Sequence, residues 1–269
     1  MELMLQGRRA YAYTGGKPFD PALPCVVFVH GALNDHSVWT LLARWCAHHG
    51  YSALAVDQPG HMRSAGPLRP SVEDLADWTL ALLDAAGVGP TQSASVVGHS
   101  MGSLIALEMA ARAPQRIRRL VMVGTAYPMK VSDGLLSAAA NTPGAGMDMV
   151  NAFSLSTLAA KPSYPGPGMW LHGGNRQLMG QVQAAHPEAN VFSHDFMLCN
   201  AYANGLQAAA QVHCPVHFVL GAADQMTSPK TTREIASALK ATVHTLPGGH
   251  GVMLEQPDAV LAALRLALV

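Results

Sequence analysis

Charge is what this chain of 269 residues has least of: Asp, Glu, Lys and Arg make up 13% of it, and 17 basic residues cancel 17 acidic ones. Such a balance leaves no basic stripe for a nucleic acid or an anionic membrane, so neither is expected as a partner. Long apolar runs are missing too. The longest, CVVFV and the C-terminal AVLAALRLALV, fall short of the roughly 20 residues that a spanning helix needs. The opening MELMLQGRRAYAY lacks a basic segment leading into an apolar stretch, the layout of a secretory signal, and the expected compartment is therefore the cytoplasm. Cysteine is scarce: Cys25, Cys46, Cys199 and Cys214 lie far apart with no CxxC pair. That spacing favours neither disulfides nor a zinc site, and buried free thiols are expected. The histidines, among them His48, His49, His172, His186 and His194, lack the clustered spacing of metal ligands, so no metal is expected either.

What the chain does have is apolar content, 49% of its residues, enough for a sizeable core. Val26 to His30, Ser52 to Asp57, Ser95 to His99, Leu120 to Gly124, Val216 to Gly221 and Thr242 to Leu246 read as strands. Most are continuous apolar runs, the pattern of strands covered on both faces, which predicts a mainly parallel sheet. Between them, SVEDLADWTLALLDAAG has apolar residues at helical spacing, with Ser71 and Asp74 as a capping pair and Gly87 as a stop. The stretch after Ser100 is apolar nearly all round until Pro114 and predicts a buried helix; QPDAVLAALRLALV, with Asp258 placed to cap it, predicts a closing helix.

The alternation breaks between Tyr127 and Val212. This stretch is rich in Gly, Pro, Met and Ala and holds no convincing strand, but it has helix-like runs around Asn141 to Ala160, Asn175 to Ala185 and Ser193 to Ala210. A structureless loop of that length is improbable in a compact domain, so residues 127–212 are expected to form a helical lid on a core of residues 1–126 and 213–269. The fold class is thus α/β, a mostly parallel central sheet with helices on both faces and an inserted helical lid.

GHSMG (98–102) places Ser100 between a predicted strand and a predicted helix. The next strand-end carboxylate that suits is Asp224 in GAADQMTSP, and the next strand-end histidine is His250 in GGHGVMLEQPD. Carboxyl ends of parallel strands share one edge of the sheet, where the three can meet. A serine hydroxyl is too weak an acid to attack a carbonyl unaided. His250 would take its proton and later deliver it to the leaving group, while Asp224 fixes the imidazole tautomer. The oxyanion of the tetrahedral intermediate would be held by the backbone amides of Met101, next to the nucleophile, and of Ala32 in VVFVHGALNDHSVW. His30, His99 and His61 flank this site in structural, hydrogen-bonding roles. Trp39 and Trp170 are candidate substrate contacts, and Met147, Met149, Met169, Met179 and Met197 are candidates to line an adaptable apolar pocket.

Taken together, HGALNDHSVW, DQPGHMRS, GHSMG, GAADQMTSP and GGHGVMLEQPD, in that order, resemble the α/β-hydrolase superfamily, in its branch of small lidded esterases, C–C bond hydrolases and cofactor-free haloperoxidases. Met62 departs from the family's D-x-P-G-H-G-x-S stretch, which usually has glycine there. The resemblance implies a mostly parallel sheet, a capped pocket and hydrolysis through an acyl-serine without a cofactor. Serine at position 100, not aspartate, argues against dehalogenase or epoxide hydrolase chemistry. The expected substrate is a small hydrophobic carboxylic ester, acted on by a monomer or homodimer. A lactonase, thioesterase or C–C bond hydrolase would use the same groups, and a ligand-binding receptor could retain the same fold.

Overall fold

The computed structural model describes residues 1–269. In chain order the elements are β1 (Glu2–Leu5), β2 (Arg8–Tyr13), β3 (Cys25–Val29), α1 (Thr40–His48), β4 (Ser52–Val56), α2 (Val72–Ala85), β5 (Ala94–His99), α3 (Met101–Arg112) and β6 (Ile117–Val123). Five helices follow: α4 (Asp133–Asn141), α5 (Pro143–Ser154), α6 (Leu171–Ala185), α7 (Val191–Ala201) and α8 (Gly205–Ala209). The chain returns to the sheet with β7 (Val216–Gly221), α9 (Arg233–Ala238), β8 (Thr242–Leu246), α10 (Val252–Glu255) and α11 (Pro257–Leu268).

The strands form one sheet in the order β1-β2-β4-β3-β5-β6-β7-β8; β1 and β2 pair antiparallel and every pairing from β4 to β8 is parallel. Successive side chains of a strand point to opposite faces, and β3 shows the result. Cys25, Val27 and Val29 join the core formed with α2 and α3, whereas Val26 and Phe28 join the one formed with α1 and α11. Because both faces are covered, every residue of β3, β4 and β5 is buried, which is why these strands lack polar alternation. Helix α3 carries ten consecutive buried residues, Met101 to Ala110, since it lies between the sheet and the helices around it.

Local signals set several boundaries. The Ser71 side chain accepts a hydrogen bond from the Asp74 amide at the start of α2. Asp258 does not cap α11: Pro257 begins that helix with Gln256 at the cap, so Asp258 falls in the first turn, where a negative charge still favours the positive end of the helix dipole. Strands β1 and β2 and helices α1, α4, α9 and α10 are additions to the elements expected from the sequence. Met62 lies at φ +41°, in the left-handed region that favours the glycine usual at that place. All four cysteines are free thiols; Cys214 is half-buried and the others are buried. No helix is long and apolar enough to cross a membrane.

Candidate active site

The turn from β5 to α3 holds Ser100 at φ +51° and ψ −121°, a conformation in which an L-residue is strained. Two glycines make this turn possible. A Cβ on Gly98 would lie 2.0 Å from the Gly102 carbonyl oxygen, and one on Gly102 would lie 2.3 Å from the Val29 carbonyl oxygen. The Ser100 amide donates to the Val123 carbonyl at 3.0 Å, which ties the turn to β6.

Asp224 follows β7, and His250 follows β8 on the adjacent strand. The His250 Nδ1 lies 2.9 Å from Asp224 Oδ2. An ionised carboxylate can only accept, so Nδ1 carries the proton and Nε2 keeps a free lone pair. Asp224 is itself held in place: its Oδ1 accepts from the Met226 and Thr227 amides, each at 2.8 Å, and its Oδ2 accepts from the Thr227 hydroxyl at 2.7 Å. Burial pushes the Asp224 carboxyl up, but the electrostatic pull and hydrogen bond of the adjacent His250 ring, together with the bonds from Thr227, outweigh it and hold the group below the usual carboxylate range. Ser100 and His250 line one cavity, and no hydrogen bond joins the serine hydroxyl to the imidazole. Such spacing is common before a substrate is present.

His30 and His99 make structural hydrogen bonds. His99 Nε2 donates to the His250 carbonyl at 3.0 Å, and His30 Nε2 accepts from the Gln58 amide at 3.0 Å while its Nδ1 donates to the Gly31 carbonyl. Burial, followed by the influence of His250, pushes His99 down to about 3; burial, followed by the influence of His61, pushes His30 down to about 4. Both rings are neutral.

The cavity has a volume of about 310 Å³, at the small end for a ligand pocket. Ala32 lines it, and the Ala32 amide has no partner in the protein. Met101 is the first residue of α3, and so its amide is among those for which the helix offers no acceptor. The walls are mostly apolar, including Leu135, Val150, Phe153 and Phe196 from the helices between β6 and β7 and Met253 from α10. No carboxylate lines it, and Lys130 is its one permanent cation.

The residues expected to touch substrate are placed differently. Trp39 is fully buried behind the site, against Phe28 and His99, because its ring fills the core beneath the sheet edge. Met147 is buried within the helical segment, and Trp170 and Met197 are 51% and 59% exposed. None of the four lines the cavity, nor does Met169, whereas Met149 and Met179 do. Methionine content marks the segment but not which side of each helix faces inward. Sequence reasoning also missed Thr227, Asp195 and Glu255. Asp195 alone carried a signal, as the one acid in the apolar stretch VFSHDFMLCN.

One group, Asp35, His36 and Asp57, has ligand atoms close enough together for a cation. Three of its four carboxylate oxygens already accept hydrogen bonds: Asp35 Oδ1 from the Ser37 amide, Asp57 Oδ1 from His36 and Asp57 Oδ2 from the Arg63 amide.

The sequence profile of the alpha/beta hydrolase family matches residues 26–263. The chain is 26% identical, over a 271-residue alignment, to the sn-1-specific diacylglycerol lipase ABHD11 of Mus musculus, covering 91% of this chain and 81% of that one. It is 31% identical over 137 residues to the dihydrolipoyllysine-residue acetyltransferase component of the acetoin cleaving system of Cupriavidus necator, a match that takes 49% of this chain and 34% of that relative's length. In fold it is similar to the enol-lactonase from Burkholderia xenovorans LB400, with a TM-score of 0.84 over 100% of this chain and 99% of that one at 21% identity.

Proposed function

Since this chain belongs to the alpha/beta hydrolase family, we propose that it is a serine hydrolase that cleaves a small hydrophobic carboxylic ester through an acyl-serine intermediate. The observation that carries this reading is the sharing of one apolar cavity by Ser100 and His250, with the His250 Nδ1–H committed to Asp224 and its Nε2 left free. As the Ser100 Oγ attacks the ester carbonyl carbon, His250 Nε2 takes the hydroxyl proton. The amides of Ala32 and Met101 then hold the oxyanion. Collapse breaks the bond to the alkoxy group, which leaves with the proton from His250 as an alcohol. Water, losing a proton to the same nitrogen, attacks the acyl-serine, and the second collapse frees the acid and restores the serine. No step calls for a cofactor. In this reading the helices between β6 and β7 act as the lid, since they supply much of the apolar lining of the cavity.

Hydrolysis of p-nitrophenyl butyrate by the wild type and by Ser100→Ala tests the proposal. The expected result is a fall in kcat of about a thousandfold or more in a variant that melts as the wild type does. Turnover retained in Ser100→Ala would overturn it, and tight ligand binding without turnover in the wild type would favour a receptor.

A further inference from the structure

Asp195 sits on α7, in the helical segment and outside the candidate triad, yet it is 1% exposed and fully paired. Its Oδ2 accepts from the Leu33 amide at 2.8 Å and from His61 Nε2 at 2.9 Å. The other nitrogen of His61 lies 3.2 Å from the Pro59 carbonyl, which can only accept. With both nitrogens donating, His61 is an imidazolium, and its charge balances the carboxylate. Leu33 itself is fully buried at φ +53°, a region that non-glycine residues rarely occupy. It directly follows Ala32, the candidate oxyanion donor, whose carbonyl in turn accepts from the Asn34 side chain at 3.1 Å.

Left to itself, a leucine would leave the left-handed region, and the peptide between Ala32 and Leu33 would turn with it. The bond to Asp195 is the side-chain contact that resists this. It reaches the loop from an element 162 residues away, so it exists only while α7 is seated against the sheet edge. We infer that Asp195 is a positioning residue for the oxyanion hole: through the Leu33 amide it fixes the loop that carries Ala32, and so makes catalytic competence depend on how the helical segment docks. Resting on the serine-hydrolase reading, the inference gives that segment a second duty besides walling the pocket.

Misplacing an oxyanion donor weakens the transition state and leaves ground-state binding largely intact. Asp195→Ala, in the full chain, is therefore expected to lower kcat for p-nitrophenyl butyrate about 10- to 100-fold, with KM within about threefold of wild type. A trifluoromethyl ketone analogue, which presents an oxyanion when bound, should lose affinity in parallel, while butyrate as a product inhibitor should not. Asp195→Asn keeps an acceptor for the Leu33 amide and is expected to recover most of kcat. Asp195→Glu keeps the charge but displaces the acceptor, and is expected to be slower than Asp195→Asn; this pair decides the matter if the alanine variant does not fold.

A folded Asp195→Ala with unchanged kcat overturns the inference, as does a loss confined to KM. Asp195→Glu faster than Asp195→Asn would mean that charge matters and the amide bond does not, which also overturns it. If wild-type turnover depends on Ser100 while these variants fail to respond, the inference falls alone. Turnover that survives Ser100→Ala removes the reading beneath it as well.

Discussion

Behind the candidate serine, two neutral imidazoles are buried where unfolded chains would carry charge, and this determines how the protein responds to acid. His99 titrates at about 3 in the fold against 6.5 ordinarily, and His30 at about 4. Both folded values are depressed, so below 6.5 the unfolded chain binds protons that the folded one refuses, and stability falls as the pH drops through that window. Each ring contributes a slope of about 1.4 kcal/mol per pH unit while it stays neutral in the fold. His61, whose charge is opposed by burial but raised on balance by Asp195, works the other way: its contribution is present below the ordinary imidazole value and fades as the pH rises through its elevated one. Urea unfolding at pH 5 and pH 6.5 should therefore show a shallower dependence in His99→Asn than in the wild type, by about one proton. An equal slope would mean that the His99 ring is charged in the native state. At this scale the sequence was legible in placement: the candidates Ser100, Asp224 and His250 each lie just past an apolar run, and the structure brings them to one edge of the sheet. Asp195 and Glu255 were not legible, since the groups they hold across the fold, Leu33 and Ser156, lie in other elements; the one local cue was that Asp195 is the lone acid of an apolar stretch.

The strand-turn-helix unit of β5 and α3 illustrates how elements constrain the site. Gly102 lets α3 start within touching distance of the β3 carbonyls, and a methyl group there meets backbone at 2.3 Å, which no side-chain rotation can relieve. Gly102→Ala is expected to destabilise the protein by about 1–3 kcal/mol or more. It should also lower kcat at least tenfold, because the helix start carries both Ser100 and the Met101 amide. Thermal unfolding together with kcat checks this; a variant that melts as the wild type does would show that the turn has slack. Elements built from continuous apolar runs were the legible ones, β3 to β5 above all, since burial on both faces writes itself directly into composition. The β1–β2 hairpin was not: ELML and RRAYAY are short and partly exposed, and their turn uses Gln6 and Gly7, both at positive φ, in place of the more recognisable Asn-Gly. Helix α4 was missed for a similar reason, because a glycine at its second position weakens an otherwise apolar and alanine-rich run capped by Ser132.

At the scale of the whole molecule, core and helical segment are joined at both ends of the candidate machinery. Asp195 grips the loop after β3. On the opposite side, Glu255 accepts from the amides of both Ser156 and Gly249, and the Gly251 amide donates to the Ser154 carbonyl, so the chain on either side of His250 is also anchored to that segment. The cavity holds about 310 Å³, and Leu135, Val150 and Phe153 are among the residues that line it from the helical segment. An apolar cavity of fixed size sets a specific chain-length profile. Each buried methylene contributes about 0.8 kcal/mol, so kcat/KM should climb about fourfold per carbon along a series of p-nitrophenyl esters while the acyl chain still fits. Once the chain meets the cavity wall, overpacking reverses the trend, and laurate is expected to be a poor substrate. Leu135→Ala enlarges the cavity without touching the triad, and the optimum should move to a longer acyl chain while short esters lose some of their advantage. The same panel run on both proteins measures this. An optimum that stays put would mean that the acyl group does not run toward α4, and a profile with no optimum would mean that the helical segment opens widely enough for the cavity volume not to limit the choice of substrate.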